Sequence, residues 1–145
     1  MICDDIRVCL VKLEVPKKTL VDKKGGHSKY CIDNPDRNIF DLIDFETCVY
    51  NDREHDTKCD FGILTQENIF YIELKGSDVK KGVEQLLSTI ADTRKCFEDK
   101  LLKARLVVSR YPKPALVRQT KEYKDLVKIV NQNLIITQNI HTEKI

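Results

Sequence analysis

The spacing of apolar positions changes period several times along the chain, and each change predicts an element. Ile6–Val15 alternates, with Ile6, Val8 and Leu10 on one side and Val11, Leu13 and Val15 on the other after a shift of phase, which predicts a strand stopped by Pro16. Residues 16–38 are lysine-rich and contain Gly25-Gly26 and Asn34-Pro35, so they predict a hairpin or exposed loop with a short strand near Lys29–Ile32. Ile39–Tyr50 fits two periods: Ile39, Leu42 and Ile43 keep helical spacing, whereas Ile43, Phe45 and Thr47 alternate. Asn51–Lys58 predicts a polar turn.

Asp60–Thr65 and Ile69–Lys75 are alternating runs separated by Gln66-Glu67, the signal of a hairpin. The period then becomes helical over Ser77–Ile90, where Val79, Val83, Leu86, Leu87 and Ile90 share a face and Ser77 or Asp78 can cap; the pattern can extend through Phe97 and Leu101. Leu106–Ser109 predicts a buried strand ended by Pro112 and Pro114. Gln119–Asn131 predicts a helix with Tyr123, Leu126, Val127 and Val130 inward, and Leu134–Ile140 a last strand. The path from Ile69–Lys75 to Leu106–Ser109 has the length of a right-handed crossover, which makes those strands parallel. The expected class is α/β: a single domain over residues 1–145, with a mixed β-sheet that combines an antiparallel hairpin and a parallel crossover strand, flanked by helices. Its core spans about 39–110, with an N-terminal β extension over 1–38 and a C-terminal helix and strand over 119–140.

The hairpin register follows from its pattern. An even loop pairs Phe61 with Ile72, Ile63 with Phe70, Gly62 with Tyr71 and Asp60 with Glu73, which puts Phe61, Ile63, Phe70, Ile72 and Leu74 on one apolar face. The other face collects Asp60, Gly62, Tyr71, Glu73 and Lys75. Carboxylates directly opposite on neighbouring strands lie about 5 Å apart at the β-carbon and repel unless a positive group sits between them. Mg²⁺, or Mn²⁺ in its place, resolves that conflict with oxygen ligands from Asp60 and Glu73. Lys75, two residues from Glu73, projects to the same side, where it could orient water or stabilise developing charge. Gly62 leaves room beside Asp60 for a substrate backbone.

Charge changes this picture only when it is counted by segment. The 145 residues carry 25 Lys+Arg against 23 Asp+Glu, a formal +2, too little for binding nucleic acid by bulk charge. Residues 33–67, however, hold ten acids and three bases, and residues 100–130 hold nine bases and two acids. An acidic segment suits a hard cation and a basic one suits phosphate; both also suit plain solvated surface. No apolar run reaches the ~18 residues of a membrane span, and Met1-Ile2-Cys3-Asp4-Asp5 does not resemble a secretory signal, so no membrane association and a cytoplasmic location are expected. The six cysteines and His27, His55 and His141 show no C-x-x-C or H-x-x-x-H pair, which predicts free thiols in a reducing cytosol and no structural zinc.

Asp60, twelve residues, then Glu73-Leu74-Lys75 resembles the signature of the PD-(D/E)XK nuclease superfamily, which has a restriction-endonuclease-like fold; Cys59 stands where that name has proline. The resemblance covers about residues 39–110. It implies Asp60 and Glu73 as Mg²⁺ ligands, joined by the Leu74 carbonyl, and Lys75 as the residue assisting an attacking water. Gln85 is similar to a glutamine that several branches carry on the following helix. The upstream acid has three candidates, Asp41, Asp44 and Glu46, of which Asp44 is preferred for its central position. Arg110 follows the strand Leu106–Ser109 and is the best phosphate contact, with Lys113, Arg118 and Arg105 nearby and Tyr71 as a base-stacking or backbone-positioning candidate. The implied function is Mg²⁺-dependent hydrolysis of DNA phosphodiesters, with structure-selective cutting and a homodimer as corollaries. The alternatives are a non-catalytic nucleic-acid-binding module or a defence or regulatory module on the same scaffold, and for Glu73 and Lys75 an ordinary strand face ion-paired to Asp60.

Overall fold

Strand-forming alternation and helical spacing assemble one mixed sheet between two layers. The computed structural model describes residues 1–51 and 57–145, so of the turn expected at 51–58, residues 52–56 lie outside the described residues. In chain order the elements are α1 (Ile2–Val8), β1 (Leu10–Leu13), β2 (Lys17–Val21), β3 (Lys29–Asp33), β4 (Phe40–Asp44), β5 (Phe61–Leu64), β6 (Asn68–Lys75), α2 (Val79–Thr93), β7 (Leu101–Val108), α3 (Pro114–Arg118), α4 (Lys121–Val130), β8 (Leu134–Gln138) and β9 (Ile140–Lys144). The main sheet has the order β1-β4-β5-β6-β7-β8, antiparallel up to β6 and parallel from β6 through β7 to β8. A small sheet, β2-β3-β9, joins the N-terminal hairpin to the last strand, with β3 and β9 parallel.

The β5–β6 register is the one the apolar face selects: Phe61 opposes Ile72, Gly62 opposes Tyr71 and Ile63 opposes Phe70. Phe61, Ile63, Phe70, Ile72 and Leu74 pack with Leu20, Tyr30 and Ile32 of the small sheet. The other face is buried too. Tyr71, Ala104, Leu106 and Val108 lie beneath Val83, Leu86 and Ile90 of α2 and Leu126 and Val130 of α4. Asp78 caps α2 by accepting the Lys81 N–H, a bond of the kind that contributes about 1 kcal/mol. Gly82 is the point of closest approach: a Cβ there would lie 2.7 Å from Leu106 Cδ1. The helix does not run on to Leu101. After a 3-10 turn at Arg94–Phe97, the Leu101 N–H bonds the Glu67 carbonyl and the parallel ladder begins.

Two expectations are corrected at the N-terminus. Ile6–Val15 is not one strand: the first part is α1, whose Ile2 and Ile6 are buried while Val8 is 82% exposed. A helix of seven residues is too short to hold itself in water. It is held by packing and by two disulfides, Cys3–Cys96 and Cys9–Cys48, with Cα separations of 5.5 and 6.0 Å. Only Cys31 and Cys59 remain thiols. The pairs are 93 and 39 residues apart in sequence, so no local spacing announces them, and the argument from free thiols to a reducing cytosol falls. Among the described residues no helix is long and apolar enough to cross a membrane.

Candidate active site

The β5–β6 hairpin places its two acids by reciprocal backbone bonds. Asp60, just before β5, donates its N–H to Glu73 Oε1 at 3.0 Å, and Leu74 on β6 donates its N–H to Asp60 Oδ2 at 3.0 Å. Both carboxylates are buried, and they line a cavity of about 240 Å³ together with Lys75 and Gln85. Leu74 lines it with its main chain, since its side chain packs in the core on the other face. Gln85, on α2, donates from Nε2 to the Lys58 carbonyl at 3.3 Å.

A third acid arrives through the turn after β4. Residues Phe45–Val49 form a π-helical turn. The Asp60 carbonyl accepts the Phe45 and Glu46 N–H groups at 3.1 and 3.5 Å, which carries the Glu46 carboxyl to that of Asp60. The turn can approach so closely because residue 62 is glycine: a Cβ there would lie 2.6 Å from Phe45 Cε2. Gly62 therefore makes room for the Phe45 ring, not for a substrate.

Asp44 is not on the cavity. It caps the π-helical turn by accepting the Thr47 N–H at 2.9 Å and pairs with Lys23 Nζ at 2.6 Å. Asp41 stands opposite Lys12 and faces a different cavity. Of the three upstream candidates, Glu46 is the one brought beside Asp60, a correction to the preference for Asp44. The strand ends at Asp44 and the chain coils, so position within the segment was a poor guide to direction.

Burial and like charge shape the protonation of this cluster. Burial is the largest influence raising Asp60, followed by its hydrogen bond with Glu46; the Leu74 N–H pulls the other way, and the Glu46 and Asp22 charges push it up again. Glu73 is raised well above the usual glutamate range, by burial first and then by Asp60, while Lys75 opposes the rise. Burial and neighbouring charge thus bring Asp60 to about 7 and favour the protonated form of Glu73. The neighbouring Cys59 thiol is pushed up by burial and by the Glu73 charge, which leaves it unsuited to act as a nucleophile.

Sequence reasoning overlooked three charged residues on this cavity: Asp22, Lys24 and Lys58. None of the three had a local signal: Lys58 falls in the turn before β5, and Asp22 and Lys24 lie in the loop after β2. A larger cavity, about 930 Å³, opens at the other end of the sheet around Asp41, Gln66, Lys100 and Lys103. Its charges are mixed, and Lys100 is occupied by the Gln66 carbonyl at 2.6 Å, so the chemistry favours the smaller site.

Other expected contacts divide. Ser109 donates its N–H to the Lys75 and Gly76 carbonyls at 3.1 and 3.0 Å, so the exposed Arg110 follows directly at the rim. Lys113 and Arg118, at the two ends of α3, are exposed. Arg105 is buried at 4% exposure, with its Nε 2.6 Å from Glu143 Oε1, and is no phosphate contact. Tyr71 is fully buried, hydrogen-bonded to the Thr93 hydroxyl at 2.8 Å and stacked on Phe45, so its expected contact with nucleic acid is corrected: α2 covers the face on which it lies. His55 lies outside the described residues.

The oxygen donors Glu46, Asp60 and Glu73 are of the type that hard divalent cations take. Among the described residues, no three His, Cys, Asp or Glu side chains converge into a ready-made metal cage. No protein-family model, curated protein or solved structure matches this chain.

Proposed function

We propose that the protein is a divalent-metal-dependent nuclease that hydrolyses DNA phosphodiester bonds on a restriction-endonuclease-like core. The observation that carries this reading is the gathering of Asp60, Glu73, Glu46 and Lys75 in one cavity beside the exposed Arg110. The donor set fits a hard cation: it is all oxygen, it is crowded with like charge, and Glu46 Oε2 is buried without a hydrogen-bond partner among the described residues. Asp60, Glu73, Glu46 and the Leu74 carbonyl would hold Mg²⁺ or Mn²⁺, which when bound supplies Lewis-acid polarisation of the phosphoryl group and a water of lowered pKa.

The chain's own residues do the rest. Lys75 brings an ammonium to the cavity, where it orients the attacking water and offsets charge developing on the phosphoryl oxygens. Gln85 fixes the Lys58 segment against α2. Arg110, Lys113 and Arg118 attract the phosphate backbone, a contact that positions DNA without reading its sequence.

One observation favours a second reading. The Asp60 and Glu73 carboxylates already accept backbone N–H groups, so they could serve as a latch between strands in a non-catalytic nucleic-acid-binding or regulatory module. Incubating the protein with supercoiled, single-stranded and branched DNA, and with RNA, in Mn²⁺ or Mg²⁺ separates the two. Metal-dependent nicking that Lys75→Ala abolishes while the fold melts normally supports the nuclease. Intact nucleic acid across the panel replaces it with the binding module.

A further inference from the structure

The loop joining β2 to β3 belongs to the small sheet, yet its Asp22 and Lys24 line the acidic cavity. Three bonds define its shape. Asp22 accepts the Lys24 N–H at Oδ1 (2.9 Å) and the Gly25 N–H at its carbonyl (3.1 Å). Gly25 has a φ of 82°, the left-handed region that glycine enters freely. A Cβ on Gly26 would stand 2.2 Å from Asp22 Oδ2, so residue 26 must lack one for the Asp22 carboxylate to lie where it does. The third bond ties the loop down at its base, where the buried Ser28 hydroxyl donates to the Lys75 carbonyl at 2.8 Å.

Lys23 links this loop to the rest of the site. Its Nζ lies 2.6 Å from Asp44 Oδ1, 3.4 Å from Thr47 Oγ1 and 4.6 Å from the Phe61 ring centroid. Asp44 and Thr47 flank Glu46, so one ion pair holds the loop against the turn that supplies the third acid. The cavity's lysines then differ in kind. Lys58 Nζ is engaged by Ser88 Oγ at 3.0 Å and lies 4.9 Å from the Tyr50 ring centroid. The exposed Lys24 forms no ion pair with a described carboxylate. A loop pinned at both ends thus carries Lys24 to the lining of an acidic cavity, where among the described residues no carboxylate pairs with it.

Resting on the nuclease reading, we propose that Lys24 is a substrate-contact residue whose ammonium binds a nucleic-acid phosphate flanking the one at the acids, with the Lys23–Asp44 pair as the latch that positions it. Such a contact recognises charge, so it strengthens binding to every sequence alike and releases about one condensed cation per duplex bound.

The test is the salt dependence of binding to a short fluorescein-labelled DNA duplex, read by anisotropy in EDTA with the full chain, beside steady-state cleavage in Mn²⁺. Lys24→Gln should weaken binding roughly threefold or more and lower the slope of log K against log salt by about one. It should raise KM and leave kcat near wild type, and Lys24→Arg should restore both. Asp44→Asn, which releases the latch, should lose part of the same affinity and add little to Lys24→Gln. A Lys24→Gln protein that binds with wild-type slope and affinity overturns the assignment and leaves the nuclease reading standing. A wild-type protein that neither binds nor cuts duplex, single-stranded or branched DNA overturns both.

Discussion

Replacing Glu143 with glutamine perturbs the joint between the two sheets, and its effect should depend on pH. The Glu143 carboxylate on β9 accepts Arg105 Nε at 2.6 Å and the Tyr30 hydroxyl at 2.9 Å, and His141 Nε2 lies 3.2 Å away. Burial alone would raise its pKa; the His141 and Arg105 hydrogen bonds, the Arg105 charge and the Tyr30 hydroxyl overcome that and bring it from 4.5 to about 2. At 1.36 kcal/mol per pKa unit, that lowering contributes about 3 kcal/mol of stability. The sign follows from the direction: the folded pKa lies below the unfolded one, so the contribution is complete above about pH 4.5 and is lost as pH falls toward 2. At neutral pH Glu143→Gln also leaves the buried Arg105 guanidinium without a counter-charge, and removing one partner of such a pair costs about 3 to 5 kcal/mol. Urea unfolding of both proteins from pH 7 down to 2.5 gives the difference directly, because acid effects elsewhere act on both alike. The gap should be widest at neutral pH and narrow toward the acid end. A gap independent of pH, or below about 1 kcal/mol at pH 7, would refute the network's role.

The two upstream acids should separate in the same way that their environments do. Glu46→Gln should weaken Mn²⁺ binding, measured by calorimetry, while Asp44→Asn should leave it intact and, because asparagine still caps the turn, lower stability by no more than about 1 kcal/mol through the lost charge opposite Lys23. Gly62→Ala forces the Phe45 ring aside, so it should destabilise the fold by about 1 to 3 kcal/mol and reduce any metal-dependent activity with it; an unchanged Tm would contradict the close contact. Thiol titration in denaturant should find two reactive cysteines before treatment with a dithiol and six after. Reduction should lower stability, by roughly 4 to 5 kcal/mol for the longer Cys3–Cys96 loop.

Much of the centre was legible because it depends on one pattern. Phe61, Ile63, Phe70 and Ile72 specify a face, the face specifies a register, and the register sets Asp60 against Glu73. The helix, with Ser77 or Asp78 as its cap, and a parallel strand after it follow from spacing and crossover length, although the cap is Asp78 and the strand runs over Leu101–Val108, starting five residues before Leu106. The same reasoning went wrong where a residue's neighbours come from far away. Tyr71 shares its strand face with Glu73, and nothing local says that α2 roofs one and leaves the other at a cavity. Residues 39–50 carried two periods because they contain both a strand and a π-helical turn, and only the bonds to the Asp60 carbonyl decide which acid turns inward. Ile2 and Ile6 keep helical spacing, but the alternation of the residues after them hides it.

By itself the sequence determined the α/β class, the hairpin register and the placing of Asp60 against Glu73, because periodicity and short turns act between residues close along the chain. The tertiary structure alone decided that Glu46 joins them, that Lys24 and Asp22 reach the cavity, that Arg105 is buried against Glu143, and that Cys3 meets Cys96. Each of those depends on packing and charge between segments tens of residues apart, where burial turns a solvated side chain into a core residue or a site residue and no local spacing records which.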